Sequence, residues 1–202
     1  MSKMLKDTAI LLVITLVSGL LLGLVYQITK EPIAIQQEKA KQEACQEVFA
    51  DAASFTQVEL TAPDEQAWAD AGYAEETVDE VMAAQDAAGE TLGYVITVTT
   101  KEGYGGDISF TIGVRSDGTV NGISILSISE TAGLGMRAEE VLKPQFAGKN
   151  AEVFTYTKSG AVSDDQIDAI SGATITTNAV TNGVNAGLYY FRTQLKGGSE
   201  NE

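Results

Sequence analysis

The sequence predicts an α+β domain attached to a single amino-terminal transmembrane helix, and three observations carry that expectation. Thr8 to Ile28 is a run of 21 residues without a charge, dominated by Leu, Val and Ile. Between Leu92 and Ile128, three β-branched segments alternate with the two-residue period of a strand. From Thr176 to about Leu195, Val180, Val184, Leu188 and Phe191 recur at spacings of four, four and three, as in a helix that buries one face. The soluble part therefore reads as a mainly antiparallel sheet packed by helices.

The anchor comes first in the chain. At 1.5 Å of rise per residue, the uncharged run matches the ~30 Å hydrocarbon core of a bilayer. A cleaved signal peptide has a shorter apolar region, roughly 7–15 residues, that ends in a small-residue site. Here the run continues into Tyr26, Gln27, Ile28 and Lys30 without an A-x-A pattern, so a retained anchor over residues 1–30 is expected. Lys3 and Lys6 favour a cytoplasmic amino terminus, which puts the rest of the chain outside. Thr15, Gly19 and Gly23 share one face, where small residues let another membrane helix approach closely. The general abundance of glycine in membrane helices accounts for them equally well.

Residues 31–90 read as a helical and acidic connecting region. Glu31-Pro32-Ile33 suggests a helix restart with Pro32 in the first turn. A Gln/Glu/Lys-rich helix then runs to about Ala50, with small or apolar residues at Ala40, Ala44 and Val48. Thr61 to Gly89 is rich in Ala, Asp and Glu and is expected to be a surface excursion with short helices. The domain proper is expected over residues 91–196. Its strands are Leu92–Thr99, Ile108–Val114 and Val120–Ile128 in meander order. A glycine-rich link, Lys101 to Asp107, joins the first two, and the Ser116-Asp117-Gly118-Thr119 turn joins the last two. A helical stretch within Thr131–Lys149 and a short strand at Val153–Tyr156 lead to the final helix. The tail, residues 197–202, is expected to be disordered.

Composition limits the chemistry. The chain of 202 residues has no histidine and one cysteine. The first absence excludes Ser-His-Asp and Cys-His nucleophiles and histidine-bound metals. A single cysteine excludes an internal disulfide, a CxxC pair and a self-contained zinc or iron–sulfur site. Cys45 lies well past the apolar run and reads as a small apolar helix residue. Lys3, Lys6 and Lys30 against Asp7 give the first 30 residues +2, so the remainder of a chain of net charge −15 carries −17. No basic stripe is present to displace phosphate counterions, which argues against nucleic acid as a partner. Any redox or group-transfer chemistry must come from a bound organic cofactor.

Three segments can receive one. Asp168-Ala169-Ile170-Ser171-Gly172-Ala173-Thr174-Ile175-Thr176 precedes the last helix. Ser171, Thr174, Thr176 and Thr177 place hydroxyls around a helix amino terminus, where unpaired N–H groups and the dipole favour an anion. Gly172 and Ala173 leave room for a large group. Taken alone, such a string is more often a set of ordinary helix caps. Glu130-Thr131-Ala132-Gly133-Leu134-Gly135-Met136 offers two glycines for close approach to a flat ligand, with apolar surface from Leu134 and Met136. Alone it is a strand-to-helix turn. Gly103-Tyr104-Gly105-Gly106 alone is a flexible hairpin loop.

In combination they say more. The order K-x-G-Y-G-G, strand pair, S-E-T-x-G-L-G, D-x-x-S-G-A-T-x-T closely resembles the FMN-binding domain of membrane-bound electron-transport complexes. The resemblance is to the G subunits of Rnf-type ion-translocating oxidoreductases, relatives of the C subunits of sodium-translocating NADH:quinone reductases. It extends to the anchor and to Thr29-Lys30-Glu31-Pro32-Ile33, leaving only Thr61–Gly89 without a clear counterpart. The short chain favours the Rnf type. Ala132 departs from the usual proline of E-T-P-G-L-G.

The resemblance implies a function. It implies FMN held covalently through its phosphate on Thr174, with Ser171, Gly172, Ala173 and Thr176 shaping the phosphate site. Glu130, Thr131, Gly133, Leu134 and Met136 would flank the ribityl chain or the ring, with Tyr104 a further neighbour. Attachment would be performed by a flavin transferase using FAD, and Asp168 belongs to that enzyme's recognition signature. The chain would be an extracytoplasmic electron carrier, without a proton-transferring catalyst of its own. It would act with integral membrane subunits in a complex coupling electron flow between reduced ferredoxin and NAD to Na+ or H+ movement. Two alternatives stand beside this. One is the corresponding subunit of a Na+-translocating NADH:quinone reductase, or another anchored covalent-FMN carrier. The other is a non-catalytic anchored binding module in which S-G-A-T is only a cap.

Overall fold

The computed structural model describes residues 2–196, so the 197–202 tail lies outside the described residues. The described chain divides into two compact units between Gln42 and Glu43.

The first unit is helical. Helix α1 (Ser2–Val48) contains the whole apolar run, and the large apolar side chains of that run are exposed. Among the described residues it is the one helix long and apolar enough to cross a membrane. The expected restart at Pro32 is corrected: α1 passes through Pro32 without a break. A proline inside a helix removes one hydrogen bond and crowds the preceding turn. Here helix formers flank it on both sides, and the preceding turn is exposed, so the freed carbonyl is not stranded in a core.

The second unit is built on a five-stranded antiparallel sheet in the order β1-β2-β3-β4-β5. The strands are β1 (Ser54–Gln57), β2 (Glu76–Gln85), β3 (Thr91–Thr100), β4 (Ile108–Arg115) and β5 (Val120–Ser127). A short helix α2 (Glu65–Asp70) lies between β1 and β2. After β5 come a 3-10 turn (Gly135–Arg137), the helices α3 (Ala138–Val141) and α4 (Lys143–Phe146), and a parallel pair, β6 (Thr155–Thr157) and β7 (Gln166–Asp168). Helix α5 (Thr174–Tyr190) closes the fold and runs into a π turn, Phe191–Leu195. The final amphipathic helix is thus confirmed, with Val180, Val184, Leu188 and Phe191 all buried.

Strand alternation sends the two faces of β3 to two cores. Ile96 and Val98 join Phe110 and Ile112 of β4 beneath α5. Gly183 and Gly187 let α5 sit close on this face: a Cβ on Gly183 would come 2.7 Å from Phe110 Cζ, and one on Gly187 2.5 Å from Ile112 Cδ1. On the other face, Val95 packs with Ala84, Val48, Phe49 and Cys45. Cys45 is 4% exposed and lies 3.9 Å from Met82 Sδ, consistent with a small apolar helix residue.

The reading of Thr61–Gly89 as an acidic excursion of short helices needs correction. It holds one short helix, α2, but its second half is β2, a full strand pairing with both β1 and β3. Its alternation is masked because the register shifts between Val78 and Glu80, and because two of the buried side chains are alanines, Ala83 and Ala84. Sheet pairing overrides the weak local preference. One of its acidic side chains has a cross-strand partner: Asp79 Oδ2 accepts the Thr99 hydroxyl at 2.6 Å.

Glu76, the first residue of β2, is 2% exposed. Its Oε1 accepts the Thr100 hydroxyl at 3.2 Å, while Oε2 has no protein partner. Burial, reinforced by the charge of Glu102, pushes its pKa up to about 7 against the opposing Thr100 hydrogen bond. The folded state therefore holds a proton that the unfolded chain releases near pH ~4.3, so this group's contribution falls as pH rises between those values. Glu76→Gln removes that slope. Denaturant unfolding at pH ~5 and pH ~8 should show the variant gaining on the parent by on the order of 2 kcal/mol at the higher pH.

Candidate functional site

The three motif segments meet at one place. A cavity of about 530 Å³ is lined by Tyr104 from the β3–β4 loop, by Glu130, Thr131, Leu134 and Gly135 after β5, and by Gly172 to Thr176 at the start of α5. Its volume falls in the ~300–1,000 Å³ range of small-molecule sites. Leu134, Ile175 and Tyr104 expose apolar surface at its walls.

Each segment is shaped locally for this contact. After β5, the backbone turns on Leu134 N–H to Thr131 O (3.1 Å) and Met136 N–H to Thr131 O (3.3 Å). That turn closes with Ala132 in place, so it does not depend on a proline. Gly133 supplies the positive φ of 76° that the turn needs. Gly172, at φ 80°, brings the backbone up against Leu134: a Cβ there would lie 3.1 Å from Leu134 Cδ2.

At the start of α5 the threonine hydroxyls do not act as caps. Its N-cap is Ala173, which makes no side-chain cap hydrogen bond. The Thr177 hydroxyl donates to Ala173 O at 2.9 Å and accepts from Ile170 N–H at 3.1 Å. The Thr176 hydroxyl donates to Glu130 Oε2 at 3.0 Å. Both are committed to the protein, and neither caps the helix. No side chain caps the first N–H groups of α5, and Thr174, its first residue, lines the cavity, an arrangement suited to an anion.

Of the sequence-expected residues, Thr174, Gly172, Ala173, Thr176, Glu130, Thr131 and Leu134 line the cavity, as does Tyr104. Ser171, Gly133 and Met136 lie outside its lining: Ser171 is exposed, and the other two serve the turn after β5. Gly135, one of the two glycines expected to approach a flat ligand, lines it too, as does Ile175, which the motifs did not single out. Gly135 was legible as the second glycine of the G-L-G step. Ile175 carried no signal beyond its place between two threonines. Asp168, the last residue of β7, is taken up by the link between β6 and β7, its Oδ1 accepting Ala161 N–H at 2.7 Å.

Residues 103–189 match the FMN-binding domain family, and residues 1–48 match the RnfG N-terminal region. The chain is 32% identical over 189 residues to the G subunit of the Na(+)-translocating ferredoxin:NAD(+) oxidoreductase complex of Acetobacterium woodii, covering 93% of this chain and 91% of that protein. It is 33% identical over 169 residues to the G subunit of the proton-translocating ferredoxin:NAD(+) oxidoreductase complex of Clostridium ljungdahlii, covering 83% and 80%. Among solved structures, NqrC of Shewanella oneidensis shares the fold, with a TM-score of 0.50 at 17% identity over 73% of this chain and 84% of that one.

Proposed function

Since the chain belongs to the RnfG family, the G subunits of ion-translocating ferredoxin:NAD(+) oxidoreductase complexes, we propose that it is their membrane-anchored flavin carrier, with FMN esterified to Thr174. The observation that carries this reading is at the start of α5. Of the hydroxyls in S-G-A-T-x-T-T, Thr174 alone both lines the cavity and stays out of the protein's own hydrogen bonds.

The residues present fit the group. The uncapped amino terminus of α5 suits the remaining negative charge of a phosphodiester. Gly172 and Ala173 keep that approach open, and Leu134, Ile175 and Tyr104 offer apolar walls to a flat ring. When bound, FMN supplies one- and two-electron redox chemistry that no side chain here provides. The chain's own part is to hold, orient and partly bury it.

Attachment forms the Thr174 Oγ–phosphorus bond, breaks the pyrophosphate of FAD and releases AMP, with the hydroxyl proton going to the transferase. The absence of histidine from this chain fits an attachment performed in trans. The apolar run of α1 is the membrane anchor, and Lys3 and Lys6 favour an amino terminus in the cytoplasm with the −17 remainder outside. Partners are then the integral membrane subunits of the complex and, during maturation, the flavin transferase. Bound FMN would supply one relay for electrons between reduced ferredoxin and NAD in a complex coupled to Na+ or H+ movement, and this chain's residues would hold it there.

Co-expression with a flavin transferase, followed by denaturing electrophoresis, tests the attachment. The parent band should fluoresce as flavin, and Thr174→Val should abolish that fluorescence. A Thr174→Val band as bright as the parent would remove the assignment.

A further inference from the structure

We propose that Glu130 is a positioning residue: its carboxylate clamps the β3–β4 loop to the first turn of α5 and so sets Thr174 in place before any flavin arrives. The inference rests on the Thr174 reading given above and gives Glu130 a role distinct from touching the cofactor.

Glu130 is 9% exposed, and both of its oxygens are used. Oε1 accepts Gly105 N–H at 3.1 Å, and Oε2 accepts the Thr176 hydroxyl at 3.0 Å. These partners lie 25 and 46 residues away in sequence, so the carboxylate joins segments that no local turn would bring together. The surrounding glycines leave the space it occupies. A Cβ on Gly103 would stand 3.0 Å from Oε1, and one on Gly135 would stand 2.7 Å from both Cβ and Oε2 of Glu130. The three motifs thus converge on one carboxylate.

The clamp matters because α5 lacks a side-chain cap. A first turn without a cap frays, and Thr174 is its first residue. Thr176, two positions on, is buried and ties that turn to Glu130, while Thr177 ties it to the segment just before the helix. Glu130 spends its oxygens on Gly105 and Thr176 rather than on the terminal N–H groups, which leaves those groups available to a phosphate. It also places a negative charge at the cavity wall, where it opposes the extra charge of a reduced flavin.

The test uses the full chain in detergent, first without flavin. Hydrogen exchange at the Gly105 amide should quicken about tenfold or more in Glu130→Ala, as expected for a lost buried hydrogen bond. Glu130→Gln should exchange close to the parent, because its carbonyl still accepts from Gly105 and its amide can donate to Thr176 Oγ1. Purified transferase and FAD are then added. Loading should slow about tenfold or more in Glu130→Ala and recover in Glu130→Gln. Once loaded, the Gln variant should show a higher flavin reduction potential than the parent. Thr176→Val, which removes only one arm of the clamp, should slow loading while leaving Gly105 exchange near the parent rate.

Glu130→Ala exchanging and loading like the parent would overturn the proposal. So would a Gln variant as slow as the Ala variant. A Thr174→Val chain that still loads would instead overturn the attachment site, and the exchange result on flavin-free protein would still judge the clamp.

Discussion

Gly135→Ala should cost the protein its flavin. A Cβ at this position would stand 2.5 Å from Thr176 Oγ1, 2.7 Å from Glu130 Cβ and 2.7 Å from Glu130 Oε2. None of these atoms is the free end of a mobile side chain. Thr176 is 1% exposed on α5, and the Glu130 carboxylate is held at both oxygens. The added methyl must therefore separate the turn after β5 from the helix, which opens the clamp and deforms the cavity between them. Overpacking of this kind costs about 1–3 kcal/mol. Flavin incorporation, read as absorbance per chain after co-expression with the transferase, should fall at least about tenfold. Gly148→Ala is the control. It lies away from the cavity, at a positive φ of 75° with nothing within 4 Å of its Cβ, so it should show backbone strain in thermal unfolding while keeping its flavin.

Phe110→Ala should produce the largest loss of stability. Phe110 is fully buried on β4 and sits directly beneath Gly183 of α5. Truncating a buried phenylalanine costs about 3–5 kcal/mol, a large share of the roughly 5–15 kcal/mol that holds a domain together. The unfolding midpoint should drop by about 10 °C. The same ring seats the helix that begins at Thr174, so flavin loading should fall together with stability. Glu130→Ala should instead lose loading at temperatures where the chain is fully folded. That difference separates support of α5 by the core from control of its first turn.

Much of this was legible in the sequence because it rests on short-range pattern. The uncharged run, the strands around the two turns and the spacing of Val180, Val184, Leu188 and Phe191 each state their own period. Two of the glycine-bearing segments, after β5 and before α5, were visible as sites of close approach, while residues 103–106 read alone only as a flexible loop. Other features depend on the tertiary structure. β2 was hidden by a register shift at Asp79 and by alanines, Ala83 and Ala84, at buried positions on its two faces, and only pairing with β1 and β3 makes it a strand. The passage of α1 through Pro32 was hidden by a residue that usually ends helices. At the site, S-G-A-T could not declare whether it caps a helix or receives a ligand. In the structure the Thr176 and Thr177 hydroxyls bond within the protein and do not cap α5, while Thr174 lines the cavity without a side-chain partner. Glu130 read as a flanking residue because its two partners, Gly105 and Thr176, lie far from it in the chain.

The central claim is that this chain carries its flavin on one threonine. Mass spectrometry of proteolytic peptides from the chain co-expressed with a flavin transferase tests it most directly. A single modified peptide is expected, bearing the FMN phosphoester on Thr174 and on no other hydroxyl. Flavin located on Ser171, Thr176 or Thr177, or flavin fully released from the parent chain on denaturation, would contradict it.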